Sequence, residues 1–335
     1  MSDIAKLPFH DRVEIVGQAL AIAAGVTPGK LHPWAADYHR RGDLSLAGVM
    51  ATLGQSPAGF MSSPDLASSI SEAVRIIALE AERPRDLTHR VITRLVSVPD
   101  FKVGAVPRAN PINLVELDHT GAVPTLSASI AEAELSGMKT FGGILSLTRQ
   151  AIINAEWPLV TSLVEELTQA AYRQEAAAVF GLLASNPTLP DGTALFHADR
   201  GNIATTGGAP SSSTVESSIQ ALVNMSVGGI RLGLKPWAIV APVGIGCTLA
   251  MLFEKGLARL LPGGFYATPE LTGTAWYLLP DPAQRPVIGL AHIGTGTEPL
   301  VDTQEGFRSD GLGIRCRHSF AAVALSPFAV RNEGQ

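Results

Sequence analysis

The chain has 335 residues, of which 46% are hydrophobic and only 16% are charged, with a formal net charge of −5. Its basic residues are scattered, which argues against a dedicated nucleic-acid-binding surface. No apolar stretch approaches the roughly 20 residues of a membrane span, and no signal-peptide pattern opens the sequence. Because ordinary domains are roughly 25% charged, we expect other copies of the chain to cover much of this surface; an unusually apolar monomer is the alternative.

Residues 1–90 are predicted to form short helices separated by loops. In HDRVEIVGQALAIAAG, Asp11 is the predicted cap of a helix that stops at Gly25. The segment GDLSLAGVMATLG repeats this pattern. A third helix is predicted to begin at Ser63 and to end before Pro84.

From about residue 91 the pattern changes to a period of two, which indicates strands. RLVSVPDFKVGAV predicts a strand in which Pro99 requires an edge position or a bulge. After a turn-rich segment, TLSASIAEAELSGMKTFGGILSL returns as extended chain, so residues 97–146 are predicted to form a long two-stranded hairpin. Because an isolated ribbon is barely stable in water, we expect it to lie on another surface.

The strongest helical signal follows the predicted hairpin. A helix of roughly 26 residues, 158–183, would be about 39 Å long. Its apolar residues recur at spacings of three and four: Val160, Leu163, Val164, Leu167, Ala171, Ala178, Val179, Leu182 and Leu183. Glu165, Glu166, Arg173 and Glu175 fall largely between them, which predicts a polar face.

Residues 212–295 predict a compact α/β unit. The predicted helices are STVESSIQALVNM and GIGCTLAMLFEKGLARLL, and the predicted strands are KPWAIVAP, TAWYLLPD and PVIGLAHIG. The tail predicts a strand with one buried and one exposed face. The buried set is Ile314, Cys316, His318 and Phe320, and the other set is Arg315, Arg317 and Ser319.

The segment NPTLPDGTALFHADRGNIATTGGAP, residues 186–210, raises the question of a metal or acid–base site. His197 and Asp199 supply at most two ligands, whereas a zinc site needs three or four. No other local cluster supplies the remainder, so we predict a structural loop that crosses between two subdomains. His318, on a mainly apolar face, is predicted to be a structural, hydrogen-bonded imidazole.

Two further motifs point only weakly to chemistry. GVTPGKL, residues 25–31, lacks the spacing of a phosphate-binding loop and predicts a turn. Gly244 and Gly246 lie between a predicted strand and helix, as in a dinucleotide fingerprint, but Leu249 replaces the third glycine. Cys247 and Cys316 lack CxxC spacing and predict buried thiols. We therefore expect no catalytic residue, no metal and no cofactor.

Several stretches, in this order, resemble the tailed-phage major capsid proteins of the Hong Kong 97 type. FGGILSLTRQAIINAEWPLV is similar to the return of that family's extended loop into its spine helix. AAYRQEAAAVFGLLASNPTLPDGTALFHADRGN resembles the end of the spine and the following loop, particularly in the branch of Mu-like head subunits and prohead protease–capsid fusions. TAWYLLPDPAQRPVIGLAHI and TQEGFRSDGLGIRCRHSFAAVAL resemble its C-terminal portion. The resemblance covers roughly residues 64–331.

The resemblance implies an α+β, Hong Kong 97-type capsid fold. Its implied parts are an N-terminal helical arm (1–90), an extended-loop hairpin (91–146), a spine helix and loop of a peripheral domain (147–211), an α/β axial domain (212–295) and C-terminal strands of the peripheral domain (296–335). The implied assembly residues are Arg108, Asn110, Glu116, Lys139 and Phe141 in the extended loop, and Trp157, Glu165, Glu166 and Arg173 in the spine helix. Lys139 and Asn332 are the candidates for an isopeptide crosslink, but both fit better as ordinary solvated residues.

The function that the resemblance implies is structural and not enzymatic. Such a subunit self-assembles through pentamers and hexamers into an icosahedral phage or prophage head that encloses DNA without sequence-specific binding, and an adjoining copy supports the extended loop. The expected partners are further copies, a portal and a scaffold or prohead protease, without a membrane. The expected location is the virion, after assembly in the bacterial host cytoplasm. An encapsulin-like protein compartment is the alternative, and a nucleotide-binding enzyme is a more distant one.

Overall fold

The computed structural model divides the chain into two compact units. Unit 1 comprises Met1–Arg85, Thr140–Gln174 and Glu298–His318, and unit 2 comprises Asp86–Lys139, Glu175–Thr297 and Ser319–Gln335. The structure describes residues 4–23, 25–26, 28–41, 44, 49, 52–53, 72–77, 87–102, 104–109, 111, 130–135, 138–148, 157–204, 207–294, 296–305 and 311–333.

The described helices and strands follow in chain order. The helices are α1 (Phe9–Ala23), α2 (Ala35–Arg41), α3 (Thr88–Val91), α4 (Trp157–Ser185), α5 (Ser212–Val223) and α6 (Gly246–Glu254), and residues 72–77 are also helical. The strands are β1 (Thr93–Val98), β2 (Gly104–Ala109), β3 (Ile130–Leu135), β4 (Lys139–Thr148), β5 (Ile203–Ala204), β6 (Ser226–Val227), β7 (Ile230–Arg231), β8 (Pro236–Pro242), β9 (Gly264–Thr268), β10 (Trp276–Pro280), β11 (Ile288–Ile293), β12 (Leu300–Glu305), β13 (Gly311–Ala324) and β14 (Val330–Asn332). Short 3-10 turns lie at Ile4–Lys6, Ala198–Arg200, Val243–Ile245 and Leu257–Arg259.

The core of unit 1 forms where α1 packs against residues of α4 and β13. Ile15, Leu20, Val164 and Ile314 are buried in one apolar cluster. Helix α1 ends as predicted, because Gly25 has a φ of +88°, a conformation that glycine adopts without the strain of a side chain. Helix α2 is not among the predicted elements.

The N-terminal predictions can be compared with the structure only in part. Residues 49, 52–53 and 72–77 are helical, within the second and third predicted helices. The predicted cap at Ser63 and the stop at Pro84 lie outside the described residues.

In unit 1, the first part of β13 pairs with β12 in antiparallel register, from Leu300↔Arg317 to Glu305↔Leu312. Strand β4 also pairs with β13. The predicted alternation is confirmed, because Ile314, Cys316, His318 and Phe320 are buried and Arg315 and Arg317 are exposed. His318 meets the Tyr172 ring edge to face with 6.2 Å between centroids, which fits the predicted structural imidazole.

The first strands of unit 2 belong to one sheet and to one separate two-stranded ribbon. Strand β1 pairs in parallel with β11, and β11 pairs antiparallel with the last part of β13. Strands β2 and β3 form an antiparallel ribbon from Gly104↔Leu135 to Ala109↔Ile130. Ala133 of this ribbon is buried against Ala291, Ala321 and Val323.

The predicted hairpin over 97–146 was too long. In the part of 97–146 that the structure describes, only β2 and β3 form a two-stranded ribbon, whereas β1 and β4 pair with strands much later in the chain. The base of the ribbon also packs on its own unit through Ala133, so a neighbouring copy is not what supports it there. A period of two predicts a strand and its faces, but it does not specify which strand is the partner.

A second sheet of unit 2 has the order β5-β14-β10-β8-β9. Trp276, Leu278, Ile239 and Leu249 form its core with α5 and α6. Helix α5 is capped by Ser211, whose hydroxyl accepts the Thr214 N–H at 3.2 Å.

Most elements predicted for 212–295 are confirmed, including α5, β8, β10 and β11. Helix α6 is shorter than predicted, because Lys255 follows its end and Gly256 has a φ of +115°. Strand β11 pairs outside the second sheet, whereas β5 and β14, from outside 212–295, join it. The mixed helices and mainly antiparallel sheets confirm the α+β class, and the five domain ranges stay predictions.

Candidate functional site

The loop after α4 is held by hydrogen bonds between its own side chains and backbone. His197 Nδ1 accepts the backbone N–H of Asp199 at 3.2 Å, and so caps the 3-10 turn Ala198–Arg200. The Asp199 carboxylate is 86% exposed, 3.3 Å from the same Nδ1. The described residues bring no third ligand-type group to this pair. The structural interpretation of the loop stays a prediction, which these local hydrogen bonds support.

Asn202 organises the inside of this loop. Its side chain is fully buried, and its Oδ1 accepts the His197 N–H at 2.8 Å. Its Nδ2 donates to the carbonyl oxygens of Leu195 at 2.8 Å and Pro327 at 2.9 Å. One side chain thus satisfies three backbone groups from two segments of unit 2, which fixes the path of the loop.

An ion pair closes the first turn of the loop. The Arg200 guanidinium donates to both carboxylate oxygens of Asp191 at 2.6 Å and to the Thr193 carbonyl at 3.1 Å. Burial acts to raise the pKa of Asp191, but the hydrogen bond and charge of Arg200 together with backbone hydrogen bonds outweigh it, and the pKa lies below its usual value. The segment 186–210 lies wholly in unit 2, and the expectation that it crosses between two subdomains stays a prediction.

The glycines of the partial dinucleotide motif have a packing role. Gly246 begins α6, and a Cβ on it would lie 3.0 Å from the Cβ of Ala267 in β9. The absence of a side chain therefore allows the helix to approach the sheet closely. A Cβ on Gly244 would meet nothing within 4 Å.

A buried carboxylate in unit 2 was missed by the sequence reasoning. Glu175 of α4 is fully buried, and its Oε1 lies 2.8 Å from Nε2 of His89. Arg90 donates from Nε to Oε1 at 2.6 Å and from Nη2 to Oε2 at 3.0 Å. The same Nη2 also donates to the Thr297 carbonyl at 2.6 Å, and His292 Nε2 lies 3.5 Å from Oε2. We call His89, Arg90, Glu175 and His292 the Glu175 cluster.

The position of Glu175 corrects the predicted polar face of the long helix. The residue lies four positions after Ala171 and four before Val179, both of which are buried. This spacing places it on the apolar face, so the signal was present in the sequence. A carboxylate at such a position requires cationic or hydrogen-bonding partners, but those partners come from residues about 85 and 117 positions away, which periodicity cannot indicate.

The predicted assembly residues of the extended loop are described only in part. The side chain of Arg108, in β2, and both Asn110 and Glu116 lie outside the described residues. Lys139 is exposed at the start of β4, and Phe141, two residues later, is half-buried. Their assembly role stays a prediction.

The predicted spine residues lie along α4 as expected from their spacing. Trp157 is its first residue, although the Trp157 side chain lies outside the described residues. Glu165 is half-buried. Glu166 and Arg173 come together, since Arg173 Nη2 donates to Glu166 Oε1 at 2.6 Å. Both side chains are more than half exposed, so this pair contributes little to stability.

The crosslink candidate near the C-terminus is not solvated. Asn332 is 2% exposed in β14, and a Cβ on Gly207 would lie 1.9 Å from its Oδ1. The expectation that Asn332 is an ordinary solvated residue was therefore wrong. Its burial in the subunit also counts against a role in a crosslink.

The two cysteines differ in exposure, which corrects the prediction that both are buried. Cys247 is exposed on α6, and Cys316 is buried in β13, where burial raises the pKa of its thiol to about 11. We expect a thiol reagent at pH 7.5 to modify one cysteine of the unassembled native chain rapidly and the second only after denaturation, because the thiolate is the nucleophile. Titration with Ellman's reagent measures this, and Cys247→Ser should abolish the rapid phase. Rapid modification of two thiols in the native chain would contradict the burial of Cys316.

None of the described helices combines the length and apolarity needed to cross a membrane.

Comparisons with known proteins give one family and several distant structural likenesses. Residues 132–331 match the model of a family described as phage capsid protein. The capsid of Myoviridae phage XM1 is 12% identical, with 73% of this chain and 90% of that chain covered and a TM-score of 0.46. A Mycobacterium phage Bobi structure is 14% identical (88% and 99% covered, TM-score 0.47), and a virus-like particle from Pyrococcus furiosus is 12% identical (78% and 98% covered, TM-score 0.45). At these identities and TM-scores the likenesses do not establish a family, and no curated protein matches the chain.

The family match covers more than half of the chain, and it includes most of the ribbon strand β3, the long helix and all or most of every later strand and helix. The chain belongs to the phage capsid protein family. The predicted identity as a phage capsid protein is thereby confirmed, and its role is structural.

Proposed function

We propose that this chain is the major subunit of a Hong Kong 97-type icosahedral shell, the head of a tailed phage or prophage. The family match over residues 132–331 is the observation that carries the proposal. In this proposal pentamers and hexamers of the chain close into a shell in the host cytoplasm. The subunit is a building block and not a catalyst, and its further partners are a portal and a scaffold or prohead protease.

The exposed surface of each unit supports a subunit that other copies cover. In unit 1, Ile144 is 68% exposed and Leu300 is 52% exposed. In unit 2, Phe101, Val243 and Leu260 are each 56–57% exposed. Single exposed apolar residues are ordinary, but several large ones on a chain with so few charges fit surfaces that assembly buries.

Electron microscopy of the purified full-length chain tests the proposal directly. We expect closed shells, or pentamers and hexamers, and a stable monomer at high concentration would contradict the proposal. The contents of the particle separate the alternatives. Packaged DNA in particles from phage-producing cells supports a head, whereas a uniform protein cargo indicates an encapsulin-like compartment.

Shortening the segment between β2 and β3 is expected to separate folding from assembly. Replacement of residues 112–129 by a short Gly-Ser turn leaves the β2–β3 ladder and the buried Ala133 in place. We therefore expect a folded subunit with an unchanged melting temperature that forms at least about tenfold fewer closed shells. Circular dichroism and particle counts by microscopy measure the two effects. A Gly-Ser insertion of two residues between Gly228 and Gly229, in the β6–β7 turn, is the control, and loss of folding in the shortened variant would contradict the prediction.

A further inference from the structure

Strand β1 lies at the edge of its sheet in the described part of unit 2. Among the described residues its backbone pairs with β11 alone, in parallel register from Thr93↔Ile288 to Val98↔Ile293. The pairing has no bulge, and the strand sequence TRLVSV contains no proline. An edge strand presents unpaired backbone N–H and C=O groups, on which an extended peptide can add as a further strand.

A cavity of about 360 Å³ lies beside this edge. Leu95, Val106 and Leu325 provide apolar walls, and Arg94 and Arg285 provide guanidinium groups. The volume accommodates one or two side chains of an added strand. Pockets for alternate side chains provide the specificity when a peptide adds to a sheet edge.

Two of the three exposed residues of β1, Arg94 and Leu95, define the chemistry of the strand that would add. Leu95 is 48% exposed, and Arg94 is exposed without a hydrogen bond or ion pair to another described residue. Because successive residues of a strand face opposite sides, Leu95 and Arg94 lie on opposite faces of the sheet. A partner strand that matches both faces alternates an apolar residue with acidic ones, since cross-strand pairs of these kinds are favourable.

The chain itself contains a segment of this composition. Residues 114–118 read LVELD, in which Leu117 lies between Glu116 and Asp118. Residues 112–135 include four acidic residues and no Lys or Arg. The segment is thus complementary in charge to Arg94 and Arg285, and in alternation to β1.

We propose that β1 of one subunit receives residues 114–118 of a second copy as an added strand. In this arrangement Leu117 packs beside Leu95, and Glu116 and Asp118 lie on the face of Arg94. The inference rests on the proposed function, because a self-assembling subunit supplies the second copy. It assigns a docking site to the segment between β2 and β3 and a partner to this edge of β1.

Charge reversal tests the pairing. Arg94→Glu in the full-length chain is expected to lower the yield of closed particles at least about tenfold, with unchanged circular dichroism and melting temperature. The triple variant Arg94→Glu/Glu116→Arg/Asp118→Arg should recover at least about half of the wild-type yield, because the charges are complementary again. Arg231→Glu, at an exposed arginine of β7, is the matched control and should assemble within about twofold of the wild type.

The outcomes separate the inference from the proposed function. If the wild type and Arg231→Glu form no particles, the proposed function is wrong. If both assemble and Arg94→Glu assembles equally well, the docking site is wrong. If Arg94→Glu fails and the triple variant recovers nothing, residues 114–118 are not the occupant.

Disulfide trapping shows which copy supplies the strand. Leu95→Cys and Leu117→Cys are combined in a Cys247→Ser background, and the assembled protein is oxidised and run on a non-reducing gel. We expect covalent multimers, and the two single-cysteine variants are the controls. A fast-migrating, internally crosslinked monomer would overturn the assignment to a second copy, and the absence of both species would overturn the docking itself.

Discussion

Replacement of Glu175 by alanine is expected to lower the free energy of unfolding by about 3–5 kcal/mol, the largest effect of the single substitutions predicted for this chain. The reason lies in the Glu175 cluster. His89 and Arg90 lie within hydrogen-bond distance of the carboxylate, and Arg90 is only 14% exposed. Without the carboxylate, the largely desolvated guanidinium loses its two hydrogen bonds to Glu175 and the opposite charge that balances it.

Urea denaturation of the unassembled full-length chain measures this loss. Glu175→Gln keeps the shape and part of the hydrogen bonding, so we expect a smaller loss than for alanine. Glu166→Ala is the matched control on the same helix, and its exposed pair with Arg173 predicts a change below about 1 kcal/mol. Equal losses at positions 175 and 166 would show that the buried cluster has no special role in stability.

A double-mutant cycle separates the ion pair from packing. Arg90→Met and Glu175→Met together are expected to destabilise less than the sum of the two single changes, because the pair then leaves no buried charge unmatched. A coupling free energy near zero would contradict the direct pairing of Arg90 with Glu175.

Replacement of Asn202 by alanine is expected to cost about 3 kcal/mol, from three hydrogen bonds of about 1 kcal/mol each. The change leaves the His197 N–H and the carbonyl oxygens of Leu195 and Pro327 without their side-chain partner in a buried site. The effect should appear as a lower urea midpoint and as faster proteolysis within residues 186–210. Because Asn202 lies next to β5, which pairs with β14, the damage should extend to that edge of the second sheet.

Asn224→Ala provides the control for this substitution. Asn224 is exposed at the end of α5, and we expect a change within about 0.5 kcal/mol. If Asn202→Ala is as mild as Asn224→Ala, the loop does not depend on the buried amide, and the structural explanation for its composition would be wrong.

Local patterns predicted those elements whose signal lies within a few consecutive residues. The spacing of apolar residues predicted a helix over 158–183, and α4 spans Trp157–Ser185. The alternation around Cys316 predicted the buried and exposed faces of β13 correctly. The apolar face of a helix or strand is set by the residues of that segment alone. It can therefore be predicted without knowing which segments pack against it.

Strand partners could not be predicted in the same way. The ribbon prediction joined neighbouring segments, but β1 pairs with a strand almost 200 positions later and β4 pairs with β13. Likewise, Cys247 looked like a buried thiol, and only the position of α6 in the structure showed that it is exposed. These outcomes depend on long-range packing, which contributes no local pattern.

The sequence by itself determined the long helix and the two faces of the last long strand and, by resemblance, the α+β class and membership of a capsid family. Only the tertiary structure decided that Glu175 is enclosed by Arg90, His89 and His292, that Asn202 holds the loop and that, among the described strands, β1 pairs only with β11. The physical reason is the range of the interactions. Periodicity and capping act over four or fewer residues, whereas burial, ion pairing and sheet order depend on segments that folding brings together.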